Sequence, residues 1–279
     1  MANLHLDGGT LHYRVQGDGA PVVALHGSAS TGAQWRSLVG YLEGRYRIVT
    51  PDLPGYGAST LPATGALGSD AAAIAALIDR VGAPAHLVGH SYGAAVALKL
   101  AALRPDAVRS LTVIEPVAFH LLLDGDAADR ALFTEASGLA ARTLTGVLGR
   151  DRVAAMRGFI DYWNGEGAWR RTSAGLRQFF LDCAERVCAD FRAVLFEPGG
   201  REAIAAIGCP TLAVMGLDSA PTAMRVTEIV AETLPRAVLR LVPDAGHLAP
   251  LTDPHIVDPM IAGHLVAADR AGRRLRIAA

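Results

Sequence analysis

Through residue 118, short apolar runs rich in β-branched residues alternate with stretches whose apolar residues recur at helical spacing, and no other feature of the 279-residue chain restricts its fold as strongly. The strand-like runs are Thr10–Val15, Pro21–Leu25, Tyr46–Thr50, Ala85–Val88 and Val108–Ile114, and the segment Met1 to Leu11 also alternates polar and apolar as a strand does. Ser69–Val81 and Tyr92–Leu103 carry the helical pattern. Such alternation predicts an α/β fold: a mostly parallel sheet covered by helices on both faces. From Phe119 to about Ile207 the pattern changes to amphipathic runs alone, Ala127–Thr145, Asp151–Trp163 and Ser173–Leu195, with breaks at Gly146, at Gly165-Glu166-Gly167 and at Pro198-Gly199-Gly200. Strands and helices then resume with Thr211–Met215, Thr222–Leu234, Ala237–Val242 and a last helix from about Asp253 to Ala268. A helical block between two strands of one sheet reads as an inserted cap. The expected division is a core domain of residues 1–118 and 208–279 and a helical cap of residues 119–207.

Composition narrows the function classes. The chain has 26 Lys plus Arg against 27 Asp plus Glu, so it sets up no long-range field toward phosphate backbones or anionic lipid, and nucleic acid is not an expected partner. No apolar stretch reaches the ~18 residues needed to span a bilayer, and the N-terminus begins like a strand, so the expectation is a cytoplasmic protein without a membrane partner. Lys99 is the only lysine and lies in a helix-like run, which removes a G-K-[ST] phosphate loop and a Schiff-base lysine elsewhere. Cys183, Cys188 and Cys209 are odd in number and lack metal spacing, and they read as free thiols. No clustered His and carboxylate spacing implies a metal, and no G-x-G-x-x-G follows a strand in the right frame, so no cofactor is expected. Monomer and homodimer both stay open.

Chemistry enters at Gly89-His90-Ser91-Tyr92-Gly93, a G-x-S-x-G placed directly between a strand and a helix. Glycines two residues either side of a serine let the chain turn sharply, lifting the Ser91 hydroxyl above the sheet at a helix N-terminus, where partial positive charge and unpaired amides gather. A glycine-rich turn with a serine cap is the plainer explanation of the same letters. Three further segments supply what a reactive serine needs. Leu25-His26-Gly27-Ser28 ends a strand, so the Ser28 amide can join that of Tyr92 as a two-donor oxyanion hole. Asp52-Leu53-Pro54-Gly55-Tyr56-Gly57-Ala58-Ser59 is a turn after the next strand, and Asp244-Ala245-Gly246-His247 brings His247, the natural general base, just past the last one. His26 and His90 belong to turns and are expected to hold loop geometry.

In this order and spacing the motifs resemble the α/β-hydrolase superfamily over nearly the whole chain. The resemblance implies an eight-stranded sheet, Ser91 as nucleophile, His247 as base, and the amides of Ser28 and Tyr92 as oxyanion donors; Asp52, Gly55, Gly57 and Ser59 match a stretch that is structural in the family. The sequence departs from the family at the triad acid, whose usual position after the strand Thr211–Met215 is taken here by Ser219, with Asp218 one residue early. Glu115, at the tip of the preceding strand, occupies the place where a subset of the superfamily keeps its acid, and it is favoured over Asp218. Dehalogenases and epoxide hydrolases of the superfamily attack with aspartate, which Ser91 argues against. The implied activity is a cofactor-free serine hydrolase of small or medium acyl esters, with C–C, lactone or thioester hydrolysis, or a non-catalytic binding role, as alternatives. The helical block is rich in large apolar residues, Phe119, Leu121, Leu122, Leu123, Phe133, Phe159, Tyr162, Trp163, Trp169, Phe179, Phe180 and Phe191; most are expected to form its own core, with the rest left to line an apolar pocket over Ser91. The arginines at 270, 273, 274 and 276 read as an exposed helix end.

Overall fold

The computed structural model describes residues 1–277, the side chains of 272–277 excepted. Eight strands form one sheet: β1 (Ala2–Leu6), β2 (Gly9–Gln16), β3 (Ala20–Leu25), β4 (Tyr46–Pro51), β5 (Ala85–His90), β6 (Val108–Ile114), β7 (Thr211–Gly216) and β8 (Ala237–Val242). Their spatial order is β1-β2-β4-β3-β5-β6-β7-β8. The first two pairings, β1 with β2 and β2 with β4, are antiparallel, and every later pairing is parallel. The segment Met1–Leu11 is therefore two strands and not one, because the Asp7-Gly8 turn, with Gly8 at φ 93°, folds it into a hairpin.

The helices are α1 (Arg36–Leu42), α2 (Leu67–Val81), α3 (Tyr92–Leu103), α4 (Ala127–Leu148), α5 (Arg152–Asn164), α6 (Ala168–Arg171), α7 (Ala174–Asp182), α8 (Ala184–Leu195), α9 (Arg201–Ala205), α10 (Pro221–Thr233), α11 (Ala249–Thr252) and α12 (Pro254–Ile277). Central strands are buried on both faces, and their side chains divide between two layers with period two. Val23 and Leu25 belong to the same core layer as Ile74 of α2, Val96 of α3 and Val226 of α10, and Val22 and Ala24 to that of Leu38 of α1 and Leu265 of α12. The last helix runs past Ala268 to Ile277, through Gly272; the side chains of Arg273, Arg274 and Arg276 lie outside the described residues, and Arg270 is exposed.

Helices α4 to α9 all fall between β6 and β7. The amphipathic run from Ser173 to Leu195 is two helices: Cys183, at φ −85° and ψ −3°, ends α7 and starts α8. The two bury different amounts, since α7 has no buried residue while α8 buries Val187, Phe191 and Val194. Neither does Gly146 break α4, which continues to Leu148, because Gly146 faces α5 and a Cβ there would stand 2.9 Å from that of Ala155. Its glycine is a contact point and not a stop.

The topology fixes where a site can form. From β3 the chain moves outward to β4, then crosses back over β3 to β5, so the sheet reverses its direction of growth between β3 and β5. Connections leave the carboxyl ends of those two strands on opposite sides and open a crevice between them. Ser28 follows β3, Ser91 follows β5, Glu115 follows β6, Ser219 follows β7 and His247 follows β8, all at the same edge of the sheet.

Candidate active site

Ser91 sits at φ 54° and ψ −118°, between the end of β5 and the first turn of α3. The flanking glycines are required by contact distance. A Cβ at Gly89 would stand 2.5 Å from the carbonyl oxygen of Gly93, and one at Gly93 would stand 2.5 Å from those of Leu25 and His26. The turn is closed from both sides by backbone, which cannot give way as a flexible side chain would.

His247 Nε2 lies 2.9 Å from Ser91 Oγ, and His247 Nδ1 lies 2.6 Å from Glu115 Oε2. With Nδ1 protonated, the ring donates to the carboxylate and accepts the serine O–H. Ser91, His247 and Glu115 are 7%, 4% and 0% exposed. Glu115, itself at φ 46°, also accepts from the Gly216 amide at 2.7 Å and from the Ser219 hydroxyl. Burial raises the affinity of its carboxyl for a proton, but the donors His247, Ser219 and Gly216 outweigh burial and hold it below the usual carboxylate range. Asp218, in contrast, is exposed, and its side chain makes no hydrogen bond among the described residues; only its amide is engaged, donating to Ala245. Ser219, at the position where the resemblance implies an acid, thus donates to the carboxylate that reaches the imidazole from the neighbouring strand. The sequence presents Ser219 only as a missing acid, and its hydroxyl contact becomes visible when β6 and β7 are side by side.

The surrounding histidines are fixed by neutral bonds. His26 Nδ1 donates to the Gly27 carbonyl at 2.7 Å while Nε2 accepts from the Leu53 amide at 2.9 Å. His90 Nε2 donates to the His247 carbonyl at 2.8 Å, and Gln34 bridges His90 Nδ1 and the Gly27 amide, each at 3.1 Å. Burial lowers His26 to about 4 and His90 to about 3, so both rings are neutral near pH 7. Asp52 accepts from the amides of Gly32 and Ala58 and ties the turn of residues 52–59 to the segment after β3. Among the described residues, the amides of Ser28 and Tyr92 have no hydrogen-bond acceptor; the latter is one of the orphan donors of a helix start.

A cavity of about 490 Å³ opens over Ser91 and His247, walled by Phe159, Ile160 and Trp163 of α5 and Leu176, Phe179 and Phe180 of α7. A recess of about 20 Å³ lies on another side of Ser91, between Ser28, Tyr92 and Phe191. Trp163 stacks on His247 with ring centroids 4.2 Å apart. Of the aromatic residues in the inserted helices, Phe159, Trp163, Phe179 and Phe180 face the cavity, whereas Trp169 is covered within the block and Arg177 lies over it at 6.0 Å. Among the described residues no group of His, Cys, Asp and Glu is arranged to hold a metal, and the three cysteines are free. Among the described residues no helix is long and apolar enough to cross a membrane.

A hydroxyl on a tight elbow, an imidazole within reach of it and unpaired amides beside it define a hydrolase of α/β type. The chain belongs to the alpha/beta hydrolase family, whose model matches residues 22–258. It is 28% identical over 256 residues to a pimeloyl-[acyl-carrier protein] methyl ester esterase of Nitrosomonas europaea, covering 88% of this chain and 95% of that protein. It is 39% identical over 118 residues to the lipase LipV of Mycobacterium tuberculosis, a match covering 41% of this chain and 44% of the relative. A pimeloyl-[acyl-carrier protein] methyl ester esterase of Methylococcus capsulatus is matched over 40% of its length, so these two stretches each span less than half of the relative. Among solved structures, a thermophilic esterase from Thermogutta terrifontis superposes with a TM-score of 0.75 at 24% identity, covering 93% of this chain and 94% of that one.

Proposed function

We propose that this chain is a serine hydrolase that cleaves carboxyl esters of small or medium acyl groups through an acyl-enzyme. One observation carries the reading: the unbroken run of bonds from Ser91 Oγ through His247 to Glu115, at 2.9 and 2.6 Å, on the floor of an apolar cavity. His247 Nε2 takes the proton as Ser91 Oγ attacks the ester carbonyl. The carbonyl oxygen becomes an oxyanion and moves against the amides of Ser28 and Tyr92, where unpaired donors await it. Glu115 keeps the imidazole in the Nδ1–H form and offsets its positive charge once it is protonated. The tetrahedral intermediate collapses as His247 returns the proton to the departing alkoxide, and water then repeats the sequence on the acyl-serine.

The inserted helices of residues 119–207 serve as the cap, and residues 1–118 with the described part of 208–279 form the core domain on which it rests. The unequal spaces around Ser91, about 490 and about 20 Å³, suit an ester with one bulky apolar half and one small half. The esterase and lipase relatives support the same class of substrate. Purified protein is expected to hydrolyse p-nitrophenyl acetate and butyrate and to be labelled by a fluorophosphonate at Ser91, with Ser91→Ala losing both. Absence of turnover and of labelling in the unaltered protein removes the proposal.

A further inference from the structure

The side chains of Ser28 and Tyr92, the two residues whose amides line the oxyanion position, both lead to one buried guanidinium. Ser28 Oγ donates to Asp190 Oδ2 at 2.6 Å, and Tyr92 OH donates to Asp70 Oδ2 at 2.7 Å. Arg186 Nη2 stands between the two carboxylates, 2.6 Å from Asp70 Oδ2 and 2.9 Å from Asp190 Oδ1. Tyr56 OH adds a second bond to Asp190 Oδ2 at 2.6 Å and accepts the amide of Ala29, the residue after Ser28, at 3.1 Å. The guanidinium carbon lies 5.1 Å over both the Tyr56 and the Tyr92 rings. Asp70, Asp190 and Arg186 are 1%, 3% and 6% exposed.

Two of these groups come from the inserted helices and the others from the sheet domain. Arg186 and Asp190 are one turn apart on α8, whereas Asp70 is on α2, Tyr56 on the turn after β4, Ser28 after β3 and Tyr92 at the start of α3. From each amide the path is short: one side chain, one carboxylate and then the shared cation. A buried ion cluster of this kind is weak evidence for stability, since apolar residues of similar volume usually pack at least as well. What it adds is fixed position: a single nitrogen, Nη2, meets a carboxylate of the inserted helices and one of the sheet domain, while the guanidinium plane lies over the Tyr56 and Tyr92 rings.

Resting on the serine hydrolase reading above, we infer that Arg186 is a positioning residue of the oxyanion hole: through Asp190 and Asp70 it sets the places of the Ser28 and Tyr92 amides, and α8 must be docked for the hole to be complete. The cap then does more than enclose the substrate. Any motion that lifts α8 from the sheet domain separates Arg186 and Asp190 from Asp70, and stabilisation of the oxyanion is withdrawn with it.

Three variants test this without deleting either amide. Arg186→Lys keeps a cation but loses the guanidinium plane that lies over the Tyr56 and Tyr92 rings; Tyr92→Phe and Ser28→Ala cut one tether each and leave the charges paired. In each, kcat for p-nitrophenyl acetate is expected to fall roughly 10- to 100-fold, as a displacement of donors by a fraction of an ångström implies, while KM moves less than about threefold. Affinity for an alkylboronic acid, which adds to Ser91 and places an oxygen at the oxyanion position, is expected to fall in parallel with kcat. A role confined to folding would lower the melting temperature and leave kcat of the folded fraction and boronate affinity as they were; that result overturns the inference. So does a rise in KM with boronate affinity unchanged, which would make Arg186 a substrate contact. If Arg186→Lys does not fold, Tyr92→Phe and Ser28→Ala decide on the same readouts. Failure of the unaltered protein to turn over esters or label at Ser91 removes the hydrolase reading and this inference together, whereas active unaltered protein with unaffected variants removes the inference alone.

Discussion

Replacing Glu115 by glutamine is the sharpest test of how the site works, because the three donors around that carboxylate dictate what the amide must do. His247 Nδ1–H, the Gly216 amide and the Ser219 hydroxyl all point at Glu115 oxygens, the first two at 2.6 and 2.7 Å. Glutamine offers one acceptor oxygen and an NH2 group that can only donate. If the oxygen faces Gly216, the NH2 faces His247 and forces Nδ1 to accept, which moves the ring proton to Nε2, against Ser91 Oγ. If the oxygen faces His247, the NH2 opposes the backbone N–H of Gly216, which cannot rotate away. The first arrangement sacrifices the base and the second leaves a buried amide pair unmatched at about 1–3 kcal/mol. Loss of the imidazole's correct tautomer and of the charge facing it costs about four decades in kcat in serine triads, or ~5.5 kcal/mol at the transition state. Glu115→Gln is therefore expected to lower kcat for p-nitrophenyl acetate on the order of 10⁴-fold while circular dichroism stays that of the unaltered protein. Asp218→Asn, at an exposed side chain, is expected to stay within about twofold, as surface substitutions do. A Glu115→Gln enzyme within tenfold of the original, or a large loss in Asp218→Asn, refutes the assignment.

Further outcomes follow from the same contacts. Ser219→Ala removes one of the donors to Glu115 and is expected to lower kcat about tenfold, in line with a hydrogen bond to a charged group; an unchanged kcat shows that the contact carries no catalytic weight. Gly93→Ala drives a methyl against the Leu25 and His26 carbonyls at 2.5 Å and is expected to cost at least about 1–3 kcal/mol in urea unfolding, so an unaltered midpoint contradicts the close approach. Acid stability tests the buried rings. His86, buried on β5 with Nδ1 2.8 Å from Ser110 Oγ, is lowered like His26 to about 4 and His90 to about 3, all from 6.5, so each contributes stability that is fully present above pH 6.5 and is lost as pH falls through 4 for the first two and 3 for His90. Each neutral ring is worth on the order of 3 kcal/mol at pH 7. Asp190 acts in the opposite sense: burial raises it to about 6, so its contribution is present at low pH and is lost as pH rises through 6. Burial also lowers His120 and His264 and raises Asp258; the lowered histidines outnumber the raised carboxylates, and the free energy of unfolding is expected to fall steeply between pH 6.5 and 4.5, so a flat profile there counts against the buried neutral histidines.

The parallel sheet and the elbow at Ser91 are legible in the sequence because they are made of local signals: apolar strands, glycines at fixed offsets and a helix beginning at once. Glu115 is legible for a related reason, since a carboxylate closing the strand Val108–Ile114 has to emerge at the edge where Ser91 and His247 emerge. Other features depend on long-range packing. The division of residues 173–195 at Cys183 has no glycine or proline to mark it and arises because α7 rests over an open cavity while α8 packs into the core. The Asp7-Gly8 hairpin did carry a turn signal, but the two strands beside it are short enough to read as one. Arg186 and Asp190, one turn apart on a helix, have the spacing of a solvated surface pair. Only their sharing of a face with Val187 and Phe191, and the approach of Asp70 from 116 residues away, make them buried.

The indole of Trp163 over His247 has a practical side. Of the three tryptophans in the chain, Trp35 and Trp169 are buried at other places, so one emitter alone lies against the imidazole at 4.2 Å. Gain of a proton by that ring puts a cation on the face of the indole, a contact that alters its emission. Intrinsic fluorescence, compared between the unaltered protein and Trp163→Phe, should thus follow the charge of the His247 ring during the proposed turnover, with no dye attached.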